Sequence, residues 1–145
     1  MSVSIRLAET HDEQKCRDLL AMLTHATSSK GESFSSAIFQ KLISNERGSL
    51  FVAEENSRVL GMASVSFNLA LRYSGEYAQL EELIVDPDAR GKNVGGLLVE
   101  ETLKRAKLRG CKEFGLYLLE STRHNQLFYE KYGFVSVGSE MRQPL

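Results

Sequence analysis

Asp86-Pro87-Asp88-Ala89-Arg90-Gly91-Lys92-Asn93-Val94-Gly95-Gly96 is the stretch that decides the fold. Before it, Leu83-Ile84-Val85 is an apolar run of strand type, and Asp86-Pro87-Asp88 stops that strand. After it, residues 94–109 predict a helix with Leu98, Val99, Leu103 and Ala106 as its buried stripe and Gly110 as its stop. A helix N-terminus carries unpaired amides and the positive end of the helix dipole, so phosphate oxygens bind there without side-chain charge. Glycines let the backbone approach such a ligand and adopt positive φ. The run from Arg90 to Gly96 therefore reads as a phosphate cradle, although a tight connection alone has the same composition.

Working outward, residues 3–7 read as a first strand. Thr10 and Glu13 have capping-box spacing before a helix with Cys16, Leu19, Leu20 and Leu23 on one face. Residues 24–31 read as a loop. A second helix from about Ser33 carries Phe34, Ala37, Ile38, Lys41 and Leu42, and ends near Gly48. Residues 50–53 and 59–71 form a hairpin across Glu55-Asn56-Ser57, and residues 77–85 are the next strand. Beyond the cradle helix come a strand at 114–119, a short helix at 123–132 and a last strand at 134–141. The expected fold is a single α+β domain over residues 1–145, with antiparallel strands first and β-α-β-α-β afterwards.

The length of 145 residues suits one domain with a real core, and 18 basic against 19 acidic residues give near neutrality. That balance offers no support for nucleic-acid binding. Cys16 and Cys111, the only cysteines, read as small buried side chains, and no histidine or cysteine spacing suggests a metal. No signal-peptide core or bilayer-length apolar run is present, so a cytoplasmic setting without membrane association is the default.

Two familiar phosphate loops fit the cradle worse. A P-loop needs Ser or Thr after Gly-Lys, and Asn93 stands there. A dinucleotide fingerprint follows the first strand of a parallel unit, whereas this turn follows an antiparallel meander.

Arg90, Asn93 and Gly95 occupy the Arg/Gln-x-x-Gly-x-Gly/Ala positions of the GCN5-related N-acetyltransferase (GNAT) superfamily, with Asn93 in place of the usual Gly. Asn tolerates the left-handed conformation better than most residues. Asn125-Gln126-Leu127-Phe128-Tyr129-Glu130-Lys131-Tyr132-Gly133-Phe134 is similar to the family's Asn, short helix, aromatic-Tyr-x-x-x-Gly-Phe segment. The resemblance is specific over residues 80–137. It implies a GNAT-like domain: a mixed, mostly antiparallel twisted sheet flanked by helices, with two splayed central strands.

It also implies acetyl-CoA as donor, with no metal. The pantetheine arm would pair with the backbone edge of Leu83, Ile84 and Val85, and the pyrophosphate with amides of Arg90, Gly91, Lys92, Asn93, Val94, Gly95 and Gly96. Asn125 matches a position that contacts the pantetheine arm or orients backbone, though a plain N-cap is an equal reading. Tyr129 matches the tyrosine that protonates the departing thiolate, against the alternative of a packed helix aromatic; Tyr132 is the weaker candidate. Glu81 and Glu82 stand beside the thioester. Adjacent strand residues face opposite sides, so one of them is expected to look inward and serve as base, directly or through water. Neither cysteine sits in a nucleophile setting, which favours direct attack by the amine over an acetyl-enzyme.

For the acceptor, Glu81-Glu82-Leu83-Ile84-Val85 and Glu140-Met141 resemble glucosamine-6-phosphate N-acetyltransferases, and residues 89–95 resemble the turn of aminoalkylphosphonate N-acetyltransferases. Both imply a small primary amine bearing a phosphorus oxyanion, for which Arg72, Arg123 and Arg142 are candidate partners. The Ser/Thr-rich residues 24–36 are a candidate cover for the acceptor, or only surface. A protein or peptide acceptor and a non-catalytic acyl-CoA-binding regulatory domain are the competing readings. A homodimer is expected from the resemblance and from the exposed last strand.

Overall fold

The computed structural model describes residues 2–27 and 34–145. Strand alternation sorts apolar side chains to two faces of one five-stranded sheet, ordered β1-β2-β3-β4-β5. In β2 (Gly48–Glu55), Phe51 and Ala53 face one way and Leu50 and Val52 the other. In β3 (Arg58–Ala70), Ala63, Val65 and Phe67 join the first set and Met62 the second. Each face then needs a cover. Helix α3 (Val94–Arg109) covers the first with Val94, Leu98 and Ala106. Helices α1 (Glu13–Thr27) and α2 (Ser36–Ile43) cover the second with Cys16, Leu19 and Phe39.

β1 (Ser4–Leu7), β2, β3 and β4 (Gly75–Val85) pair antiparallel in sequence order. β5 (Phe114–Leu116) returns parallel to β4 through α3, as a helical crossover requires. The two strands share only Ala78↔Phe114, Gln79↔Gly115 and Leu80↔Leu116. Past Leu80 they splay, leaving one edge of β4 unpaired down to Val85.

Four details differ from the sequence expectation. The cap before α1 uses Asp12 rather than Glu13: Asp12 accepts from the Glu9 amide at 2.7 Å and from both Arg6 terminal nitrogens at 2.7 and 3.0 Å. Glu13 instead binds Arg17 and Ser36 at 2.6 Å each. α1 runs through Thr27, so residues 24–27 are helix rather than loop; the rest of that expected loop, Leu23's side chain and the Ser33 helix start lie outside the described residues. The strand expected at 114–119 stops at Leu116, giving way to a 3₁₀ turn (Glu120–Asn125) and then α4 (Gln126–Glu130).

The strand expected at 134–141 is not formed. Val135, Val137 and Met141 alternate as a strand would, yet they are exposed. β5, only three residues long, offers too little edge to template another strand. No helix of the described residues is long and apolar enough to cross a membrane.

Candidate active site

The site begins where the β3–β4 register slips. Ser64 pairs with Glu82 and Val65 with Leu80, so Glu81 is an extra residue, a β-bulge. Its effect on the side chains is direct. Ser66 Oγ donates to Glu81 Oε2 at 2.7 Å, and Ser64 Oγ donates to Glu82 Oε1. Ser64 and Ser66, two apart on β3, share a face. Both carboxylates therefore stand on the α1/α2 side of the sheet, which corrects the expectation that only one could look inward. Glu81 is exposed and Glu82 half-buried. Burial pushes the Glu82 carboxyl up from the ordinary range, Ser64's hydrogen bond opposes this, and Glu81's charge adds to it.

The bulge also switches the backbone. Ala78 N–H donates to Glu113 O, on the β5 side, whereas Asp86 N–H donates to Leu60 O, on the β3 side. Without an extra residue, 78 and 86 would point the same way. The switch turns Leu83 and Val85, with their N–H and C=O groups, toward the open edge. The Ile84 side chain is buried beneath α1 and α2.

Across the splay, Leu116 to Leu119, Thr122, Asn125 and Tyr129 face Leu80, Glu81, Glu82 and Leu83 around a cavity of about 260 Å³. Tyr129 is held by rings: Phe128 lies edge-on at 5.1 Å and Phe134 at 6.0 Å between centroids. Burial raises its phenol above the ordinary value, so it stays protonated at neutral pH. Asn125 opens α4, yet its side chain makes no capping bond; the cavity, not the helix end, is where it is presented.

At the end of β4, a 3₁₀ turn (Pro87–Ala89) is closed by Asp86, which accepts from the Asp88 amide at 2.9 Å. Gly91 then takes φ +84° and Asn93 φ +56°, so Asn93 adopts the left-handed conformation its side chain tolerates. The first bond of α3 runs from Leu97 N–H to Asn93 O at 3.0 Å. The amides of Val94, Gly95 and Gly96 therefore need partners from outside the helix. Gly96 is crowded: a Cβ there would collide with Tyr132 Oη and Asn93 Oδ1. Gly95 faces the Phe128 ring and Val85, which joins the turn to the Tyr129 cavity. Lys92 reaches back to Glu55, and Arg90 is exposed.

The structure thus brings Glu81, Glu82, Leu83, Asn125 and Tyr129 to one cavity, with residues 90–96 below it. The arginines considered for an oxyanion divide. Arg72 lies over Tyr73 and Tyr77 at the far end of the β3–β4 hairpin. Arg123 pairs with Glu120 at 3.3 Å. Arg142 lies over Tyr117, which lines the cavity, and pairs with Glu140 at 2.6 Å. Sequence reasoning missed Ser64, whose only signal was a polar residue inside the apolar run of β3. It also missed a second cavity beyond Glu82, because the residues lining that cavity repeat as an ordinary core stripe does.

Residues 15–134 match the family model described as Acetyltransferase (GNAT) family. The chain belongs to the GNAT acetyltransferase family. Its relatives include the glucosamine 6-phosphate N-acetyltransferase of Arabidopsis thaliana, 30% identical over 94% of this chain and 93% of that one. The protein of the same name from Trypanosoma brucei brucei is 25% identical over 100% of this chain and 97% of that one. The crystal structure of a transcriptional regulator from Bacillus halodurans C-125 superposes with a TM-score of 0.85, at 27% identity and 99% coverage of both chains. This N-acetyltransferase therefore shares its fold with that structure over 99% of its length.

Proposed function

We propose that this acetyltransferase, as one domain over residues 1–145, moves an acetyl group from acetyl-CoA to the primary amine of a small molecule, by direct attack within a ternary complex. One observation carries the proposal. A buried-side carboxylate, Glu82, and a protonated phenol, Tyr129, line the same cavity, and a free strand edge runs from it to an anion-binding helix start.

The residues present suit the donor. The outward C=O of Leu83 and the N–H and C=O of Val85 can pair with the amides of a pantetheine arm, with Ile84 anchoring the strand behind them. The amides of Val94, Gly95 and Gly96, with the turn of Arg90, Gly91, Lys92 and Asn93, suit a pyrophosphate. The donor supplies an activated acyl carbon. The chain supplies an N–H at Leu83 for the carbonyl oxygen, Asn125 beside the arm, a base and an acid.

An ammonium has no lone pair and must lose a proton before it attacks. Glu82, with its pKa raised by burial and by the charge of Glu81, suits that task; exposed Glu81 draws the cationic amine in or serves through water. Tyr129 delivers a proton to the leaving thiolate. The amino-sugar phosphate of the named relatives is one acceptor class this reading admits. A cytoplasmic setting and a homodimer belong to the same proposal. The free thiols of Cys16 and Cys111 support the former, and exposed Val135, Val137, Met141 and Leu145 the latter.

Thermal melting tests donor recognition, since ligand at ~100 times its dissociation constant adds roughly 2.7 kcal/mol of stability. CoA release with a library of amines then tests transfer. No shift with either acetyl-CoA or CoA, and no release, would defeat the proposal.

A further inference from the structure

On the α1/α2 side of Glu82 lies a second cavity, of about 220 Å³. Its walls are Cys16 and Leu20 of α1, Phe34, Ile38, Phe39 and Leu42 at α2, and Leu50, Met62, Ser64 and Glu82 of the sheet. Glu82 lines both this cavity and the one that holds Tyr129, so it is the point where the two meet. Apart from Glu82, Ser64 and the Cys16 thiol, every described lining side chain is hydrocarbon or thioether. The thiol is inert: burial pushes it up to about 12, so it behaves as a small apolar group.

Among the described residues, no lysine or arginine lines the cavity. Arg17, on the same side, spreads over the Phe34 ring at 4.2 Å, donates to the Phe34 carbonyl and pairs with Glu13 at 2.6 Å. Buried phosphate recognition relies on guanidinium or ammonium donors or on a helix N-terminus. Among the described lining side chains, a sugar phosphate seated here would meet only Ser64 and the like-charged Glu82 as polar neighbours.

We infer that this cavity is the acceptor pocket, and that it selects primary amines carrying a compact, uncharged apolar body. The inference rests on the transferase reading above. The ammonium sits at Glu82 and Ser64, where both cavities meet, and the hydrocarbon points away from the thioester, between Phe34, Ile38 and Met62. The size agrees, since a dry cavity of about 150 Å³ accepts benzene. A phenyl ring with a short alkyl linker, or a linear chain of comparable volume, is the matching occupant. The transfer balances: the ammonium passes one proton to Glu82, the C–N bond forms at the acyl carbon, and the nitrogen's second proton leaves to solvent water as that bond is made. The C–S bond then breaks, and the thiolate takes a proton from Tyr129. Solvent restores both residues, and the net products are the N-substituted acetamide, CoA thiol and one proton.

The test is steady-state kcat/KM with saturating acetyl-CoA for ethylamine, butylamine, hexylamine, phenethylamine and glucosamine 6-phosphate. Thermal shift with acetyl-CoA alone is run beside it. Efficiency is expected to rise about fourfold per added methylene until the cavity is full. Phenethylamine is expected to exceed glucosamine 6-phosphate by more than tenfold. Ile38, 56% exposed at the rim, can be changed with little risk to folding. Ile38→Asp is expected to lower kcat/KM for phenethylamine at least tenfold, chiefly through KM, and Ile38→Leu to restore it. A flat series, a preference for glucosamine 6-phosphate, or an Ile38→Asp enzyme with unchanged selectivity overturns the pocket assignment and leaves the transferase standing. No acetyl-CoA shift with no turnover of any amine overturns both.

Discussion

Ser64 holds Glu82 at two points: its hydroxyl donates to the carboxylate and accepts from the Glu82 amide at 3.2 Å. One small side chain on β3 thereby fixes the bulged backbone of β4 and supports the charge of the group proposed as base. Ser64→Ala removes a lowering influence, so the Glu82 pKa should rise further. The acidic limb of the kcat/KM profile then moves to higher pH, while Glu82→Gln flattens that limb and lowers kcat by about 10²-fold or more. A profile identical in wild type and Ser64→Ala would remove this role.

Glu82 has a stability counterpart. Its folded pKa lies above the unfolded value of about 4.3, so its contribution is fully present below that value and is lost as pH rises through the raised folded pKa. The ligand-free protein should therefore lose melting temperature across that window, and Glu82→Gln should lose less. Parallel melting curves for the two proteins would count against the assignment.

Tyr129 sits among Phe128 and Phe134 in a ring cluster that does not depend on its hydroxyl. Tyr129→Phe should keep the packing and the acetyl-CoA dissociation constant, yet lower kcat by about 10²-fold. Calorimetric titration with acetyl-CoA, run beside turnover, separates the two effects. Turnover at the wild-type rate would take the acid role away from Tyr129.

Gly96 lies against Tyr132 Oη and Asn93 Oδ1. Gly96→Ala should cost about 1–3 kcal/mol of stability and weaken donor binding. Adding Tyr132→Phe should recover part of the loss, a coupling that a double-mutant cycle measures directly. Asn93→Gly keeps the left-handed turn and should be nearly neutral, whereas Asn93→Val should cost about 1–2 kcal/mol.

The C-terminal segment exposes Val135 and Val137, at 74% and 87%, with Met141 and Leu145 beyond. If they are covered by a second copy, light scattering on a sizing column gives twice the 16.2 kDa chain mass. Val137→Lys should shift the protein toward monomer. A wild-type monomer at tens of micromolar would refute the dimer.

Much of the site was legible because it rests on local backbone chemistry. A glycine-rich run between a strand and an amphipathic helix has few geometries open to it, and Asn93 announced its positive φ by its own type. Tyr129 and Asn125 were legible as a spaced signature. Glu81 and Glu82 were not assignable, because a bulge is a mismatch between two strands and neither strand states it alone. The α1–α2 cavity was hidden for a different reason: Leu20, Ile38 and Leu42 fit a core stripe, and periodicity cannot tell a filled groove from an empty one. The strand expected at 134–141 had the right alternation, but pairing needs an edge, and three-residue β5 is too short to supply it.

The extra residue at Glu81 leaves β4 as two half-strands of opposite sense, one locked into its neighbours and one holding its amides out. Those halves should exchange hydrogen with solvent on separate clocks. The Ala78 amide, bonded to Glu113 O, should open only with the fold, while Leu83 and Val85 should exchange quickly until a donor pairs with them. Two amide signals would then report occupancy of the cleft in the absence of any acceptor or any turnover.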